Sequence, residues 1–217
     1  MDKIKNIWDK KYNKIMEKRL FEIETRMEEG ETVKVVGHAS VYNTMSEDLG
    51  GFREIIAPGA FDDVLENDVR ALINHDGNLI LARTTSVTLA FSSDEKGLRY
   101  EFEMPETSYG KDLAVSMKRG DITQSSFAFT VADDSWDTRD GMDVRTINKV
   151  KRLYDVSPVS IPAYPSANDL ALAQRSKMIY NDKQKMQAES NYEMKTSLDK
   201  LKLKINILKR KRKWKKV

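Results

Sequence analysis

Three short stretches of this 217-residue chain carry side chains able to do covalent chemistry: Asn74-His75-Asp76-Gly77, Gln124-Ser125-Ser126-Phe127-Ala128-Phe129 and Leu153-Tyr154-Asp155-Val156. In the second, strand alternation places Phe127 and Phe129 on one face with Ser125, and Ser126 on the other with Ala128. If the phenylalanines anchor a core, Ser126 is the serine left to face a cleft; the other reading is a serine pair bonded only to its own surroundings. His75 stands where an apolar strand meets a turn, on the face of Val69, Ala71 and Ile73. It could serve as a base there, or be a turn histidine satisfied by Asp76. Asp155 interrupts an apolar strand, where a carboxylate loses hydration and needs a partner. An imidazolium would suit it, as would Lys151 or Arg152 at a sheet edge. Together the three supply a nucleophile, a base to activate it and an acid to orient the base. Their chain order, His then Ser then Asp, differs from chymotrypsin, subtilisin and the α/β-hydrolases, which points to an unrelated fold. The second histidine, His38, has no nucleophile near it in sequence and reads as structural.

Composition narrows the alternatives. There is no cysteine and there are only two histidines, so disulfides, thiolate catalysis and cysteine- or histidine-rich metal sites are excluded, and no cofactor is expected. No run approaches the roughly 18 apolar residues of a membrane span, and charged residues interrupt the N-terminal region where a signal-peptide core would lie. The net charge of +3 conceals an asymmetry: residues 177–217 hold 14 Lys and Arg against 4 Asp and Glu, leaving the rest of the chain at −7. A tail this basic is expected to meet something acidic, a protein surface or phosphates.

The elements that must position these residues are read from periodicity. Ile4, Ile7, Trp8, Tyr12, Ile15, Met16 and Leu20 recur at helical steps, so residues 1–25 are expected to form an amphipathic helical arm, with Met16 an alternative start. From Thr32 the period changes to two. TVKVVGHASVY, FREIIA and VRALINH read as strands, with a short helix in AFDDVLEN after Pro58-Gly59. SVTLAFSS and GLRYEFEM, joined by Asp94-Glu95-Lys96-Gly97, read as a hairpin. Tyr109, Leu113 and Met117 share one face of a helix that Gly120 ends, and ITQSSFAFTVA and TINKVKRLYDVSPVSI return to strand. The expectation is an α+β domain over residues 26–175, β-rich with a few helices, followed by a helical or partly disordered basic tail over 176–217.

Residues 16–172 resemble the phage prohead maturation protease family, whose fold is similar to the herpesvirus assemblins. The resemblance is carried, in order, by GHASVYN, EDLGGFREIIAPGAFDDVL, VRALINHD, LART, GLRYEFEMPET, RGDITQSSFAF and LYDVSPVSIPAYPSA. It implies a barrel-like assemblin core, His75 as general base, Ser126 as nucleophile and an acid in the LYDVSPV segment, here Asp155. Herpesvirus enzymes use a second histidine in that third role, and this chain has none after His75. Family members usually carry an aromatic at the position of His38, and glycine more often than alanine at Ala128. The herpesvirus-type arginine after the third catalytic residue has no counterpart, so backbone N–H groups are the expected oxyanion donors. The implied function is serine endopeptidase cleavage of scaffold, of the scaffold-like segment of the major capsid protein and of the protease itself. It would occur inside the immature capsid in the host cytoplasm, by a homo-oligomer such as a dimer, away from membranes. Two other readings are a non-enzymatic assembly factor on the same fold and a nucleic-acid-binding module in the tail.

Overall fold

The computed structural model describes residues 16–21, 26–28, 33–160 and 167–214. The chain divides into two compact units, residues 1–173 and 174–217. The first is a strand-rich α+β body with a curled half-barrel sheet. Six strands form that sheet: β1 (Glu17–Phe21), β4 (Phe52–Ile56), β5 (Arg70–Ile73), β6 (Asp76–Arg83), β9 (Gln124–Arg139) and β10 (Met142–Val159). The second sheet is the antiparallel set β2 (Arg26–Glu28), β3 (Lys34–Val41), β8 (Gly97–Glu103) and β7 (Leu89–Ser93), in that spatial order. Helix α1 (Ser108–Arg119) starts at a Thr107 cap and stops at Gly120, whose φ of 81° no β-carbon favours.

β10 is the organising strand. One of its edges pairs antiparallel with β9 along nearly its whole length; its other edge pairs parallel with β4 near its start and with β5 near its end. A two-residue turn at Asp140-Gly141, both at positive φ, joins β9 to β10 and sets their register. Inward residues of these strands fill the core. Phe127 and Phe129 stack 4.7 Å apart, and Phe61 meets Phe127 edge-on at 5.5 Å. Each such ring removed from water contributes roughly 1.5–3 kcal/mol.

The N-terminal expectation requires correction. Residues 17–21 are a strand on the free edge of β9, not the end of a helix, and so belong to the body rather than to a separate arm. Pairing gives their backbone the hydrogen bonds a helix would have supplied, and alternation sends Glu17 and Arg19 to one face. There they join a buried ion cluster with Glu54 and Arg145. Arg19 reaches Glu17 and lies 2.6 Å from Glu54; Arg145 lies 2.9 Å from Glu17, 3.1 Å from Glu54 and 2.6 Å from Asp134. The remaining residues of the expected arm, 1–15 and 22–25, lie outside the described residues. β6 was also not foreseen, since Asp76-Gly77-Asn78 reads as loop, and the expected helix in AFDDVLEN is a single 3₁₀ turn, Asp62–Val64.

Burial alone would push the Glu17 carboxyl up, but Arg145 and Arg19 outweigh it and hold it below its ordinary 4.5. Its stabilising contribution is therefore complete above the unfolded pKa and lost as pH falls through the lower folded value. Replacing Arg145 with Met leaves three carboxylates facing one guanidinium. The expected result is a loss of about 3–5 kcal/mol in denaturant unfolding at neutral pH, with a smaller further loss on acidification than wild type shows, because the Glu17 carboxyl is no longer held as far below its unfolded pKa.

Candidate active site

β9 and β10 place two of the three candidate residues by register alone. Ser126 is opposite Ser157, Phe127 opposite Val156, and Ala128 opposite Asp155. Alternation then puts Ser126, Asp155 and Ser157 on one face of the ladder and Phe127 on the core side. Ser125, on the core face, is fully buried and hydrogen-bonded to the Tyr100 hydroxyl.

His75 arrives from the neighbouring hairpin. β5 ends at Ile73, which pairs with Asp76 of β6, so Asn74 and His75 are the whole loop, with φ of 51° and 59°. Both positions of such a turn demand positive φ, which Asn tolerates well and His less so. The histidine is thus a turn residue, not the last position of an apolar strand face. The turn is held against the end of β10: the Asn74 N–H donates to the Pro158 carbonyl at 3.0 Å, and the Asn74 side-chain oxygen accepts from the Ser160 N–H at 2.9 Å.

The three side chains form one hydrogen-bonded chain. His75 Nδ1 lies 2.5 Å from Asp155 Oδ1, and His75 Nε2 lies 2.7 Å from Ser126 Oγ. With Asp155 ionised, Nδ1 carries the ring proton and donates to it, leaving the Nε2 lone pair to accept from the serine hydroxyl. Ser157 Oγ donates to the same Asp155 oxygen at 2.8 Å. This fourth group escaped the sequence reading, although its place two residues after Asp155 on the same face could have revealed it. The bonding alternatives are taken up elsewhere: Asp76 accepts from the backbone and side chain of Asn78, and Lys151 and Arg152 line an open groove with Glu66, Asp68 and Tyr154. His38 Nε2 sits 2.9 Å from Asp94 Oδ2, in the β7–β8 turn region.

Ser126 is only 4% exposed. Its hydroxyl has a second acceptor, the Arg19 backbone carbonyl of β1 at 2.8 Å. One proton serves one acceptor at a time, so this carbonyl competes with Nε2 for it. Among the described residues no cluster of His, Asp and Glu is arranged to hold a metal ion, and no helix is long and apolar enough to cross a membrane.

A Ser–His–Asp chain on a strand-rich body is an arrangement that serine hydrolases use. The sequence goes further: residues 21–182 match the family of caudovirus prohead serine proteases, and the chain belongs to that family. The prohead protease of Enterobacteria phage HK97 is 28% identical over 137 residues, which span 63% of this chain and 58% of the relative. A solved structure of the bacteriophage T4 capsid assembly protease aligns with 67% of this chain and 99% of its own, at 16% identity and a TM-score of 0.44.

The short Nδ1–Asp155 contact has a spectroscopic consequence. Proton NMR of the protein is expected to show a strongly downfield ring N–H resonance from His75 that disappears in Asp155→Ala and persists in Asp76→Ala. Its persistence in Asp155→Ala would contradict the geometry.

Proposed function

We propose that this chain is a serine endopeptidase of prohead maturation, with Ser126 as nucleophile, His75 as general base and Asp155 as the acid that orients it. The observation that carries the reading is the continuous hydrogen-bond chain from Ser126 through His75 to Asp155; membership of the prohead protease family supports it.

In this mechanism Ser126 Oγ attacks the carbonyl carbon of the scissile peptide as Nε2 takes its proton. Asp155, fixed by Ser157, stabilises the imidazolium and keeps Nδ1 protonated. The tetrahedral intermediate collapses as the C–N bond breaks, and His75 returns the proton to the departing amine. Water then attacks the Ser126 ester with His75 again as base, releasing the acid and restoring the hydroxyl. Backbone N–H groups are the donors expected for the oxyanion. The substrates in this reading are the scaffold protein or the scaffold-like segment of the major capsid protein, together with the protease itself, inside the immature capsid in the host cytoplasm. The same reading takes the body as assemblin-like and the working form as a homo-oligomer, on the strength of the family resemblance.

Co-expression with the cognate capsid and scaffold proteins tests this directly. Wild type should yield shortened capsid or scaffold bands on gels, and Ser126→Ala full-length ones. Asp155→Asn should lower kcat by about 10⁴-fold, because the imidazole loses its tautomer control. Processing that survives Ser126→Ala would assign the nucleophile elsewhere, and processing absent with wild type would favour an assembly role without catalysis.

A further inference from the structure

The second unit is dominated by α2 (Ala167–Trp214), a single 48-residue helix. A helix of this length gains most of its stability from burying an apolar face, yet its large apolar side chains are exposed: Met194 by 64%, Leu198 by 51%, Leu201 by 57% and Ile205 by 43%. These four are spaced by four, three and four residues, and the sequence continues the step to Leu208. That is the alternation of a coiled-coil seam, in which Leu198 and Ile205 take the a positions and Met194, Leu201 and Leu208 the d positions. Leu203, also exposed, falls on the opposite face and is no part of it.

The flanks of the seam decide what can cover it. Lys195 and Lys202 occupy e positions and Lys204 a g position, and the sequence adds Lys209 at e and Lys211 at g. Ser197 is the one uncharged flank, and the nearest carboxylate, Asp199, stands outside the seam, 3.8 Å from Lys202. In a second parallel copy Lys204 would oppose Lys209 and Lys202 would face only Ser197, and in an antiparallel copy the e-position lysines would face one another; neither arrangement brings a carboxylate to a flank, and the lysine pairs are destabilising. A partner helix with Glu or Asp at its flanks would find an opposite charge at each lysine. Phosphate binding uses the lysines but gives the apolar seam no role, and two apolar positions in seven make a stripe narrower than a membrane-surface face.

We propose that residues 194–208 are a docking seam for an acidic amphipathic helix of a partner protein, which closes on α2 as a heterotypic coiled coil. The seam lies outside the residues of the catalytic reading and does not depend on it, since its readout is binding and not proteolysis.

Calorimetric titration of the full chain tests this with a designed peptide about four heptads long, Leu at a and d and Glu at e and g. The expected result is one-to-one binding with a gain of helical circular dichroism and an affinity that falls with salt. The triple variant Leu198→Ala, Leu201→Ala, Ile205→Ala keeps every charge and a strong helix former at each site; it should bind at least about tenfold more weakly. The same peptide with Lys at e and g should not bind. The proposal fails if wild type ignores the Glu peptide, if the triple variant binds it equally well, or if the Lys peptide binds as tightly. It fails as well if sedimentation of the protein alone shows a dimer that the triple variant abolishes, or if mixed-sequence duplex DNA binds wild type and variant alike and displaces the peptide. The first of these outcomes would give the seam to a second copy and the second would give the tail to nucleic acid.

Discussion

The antiparallel ladder between β9 and β10 is the constraint on which the rest of this protein depends. Its register sets Ser126 against Ser157 and Ala128 against Asp155, and a slip of one residue would turn every one of these side chains to the opposite face. The core enforces that register, because Phe127 and Phe129 can be buried only while Ser126 points away from them. Site geometry and core packing are thus two faces of one strand. Mutations that loosen the phenylalanine stack should disturb the serine without touching it.

The same ladder leaves one edge of β9 open, and β1 takes it. There Glu17 and Arg19 are both buried among Glu54, Arg145 and Asp134. Buried charges of this kind contribute little net stability over a well-packed apolar replacement, but removing one partner is costly. Their effect is to fix where β1 lies. That position brings the Arg19 carbonyl to the Ser126 hydroxyl, so the environment of the serine is shaped by a strand more than a hundred residues away in sequence.

Much of the site could be read without coordinates, because its logic is local. Alternation alone separates Ser126 from Ser125, and a lone carboxylate between Tyr154 and Val156 signals that something must compensate it. The prohead protease family resemblance stands on the same segments and is shown by the family match. What stayed hidden is non-local. The helical spacing of Ile15, Met16 and Leu20 competes with a β9 edge that no local pattern announces, and over residues 17–21 the edge and the buried ions win. The register that sets Ser126 on the face of Asp155 and the clamp of Asn74 on Pro158 and Ser160 likewise require the folded sheet. The turn at Asp140-Gly141 marks how far β9 and β10 extend beyond their apolar centres.

The central claim is that His75 makes Ser126 the reactive serine. The most direct measurement is labelling of proheads, assembled with wild-type protein and undergoing maturation, by a fluorophosphonate probe, with the adduct mapped by peptide mass spectrometry. The account predicts a single adduct on Ser126 that is lost in His75→Ala. An adduct on Ser125 or Ser157, or labelling of Ser126 undiminished in His75→Ala, would contradict it.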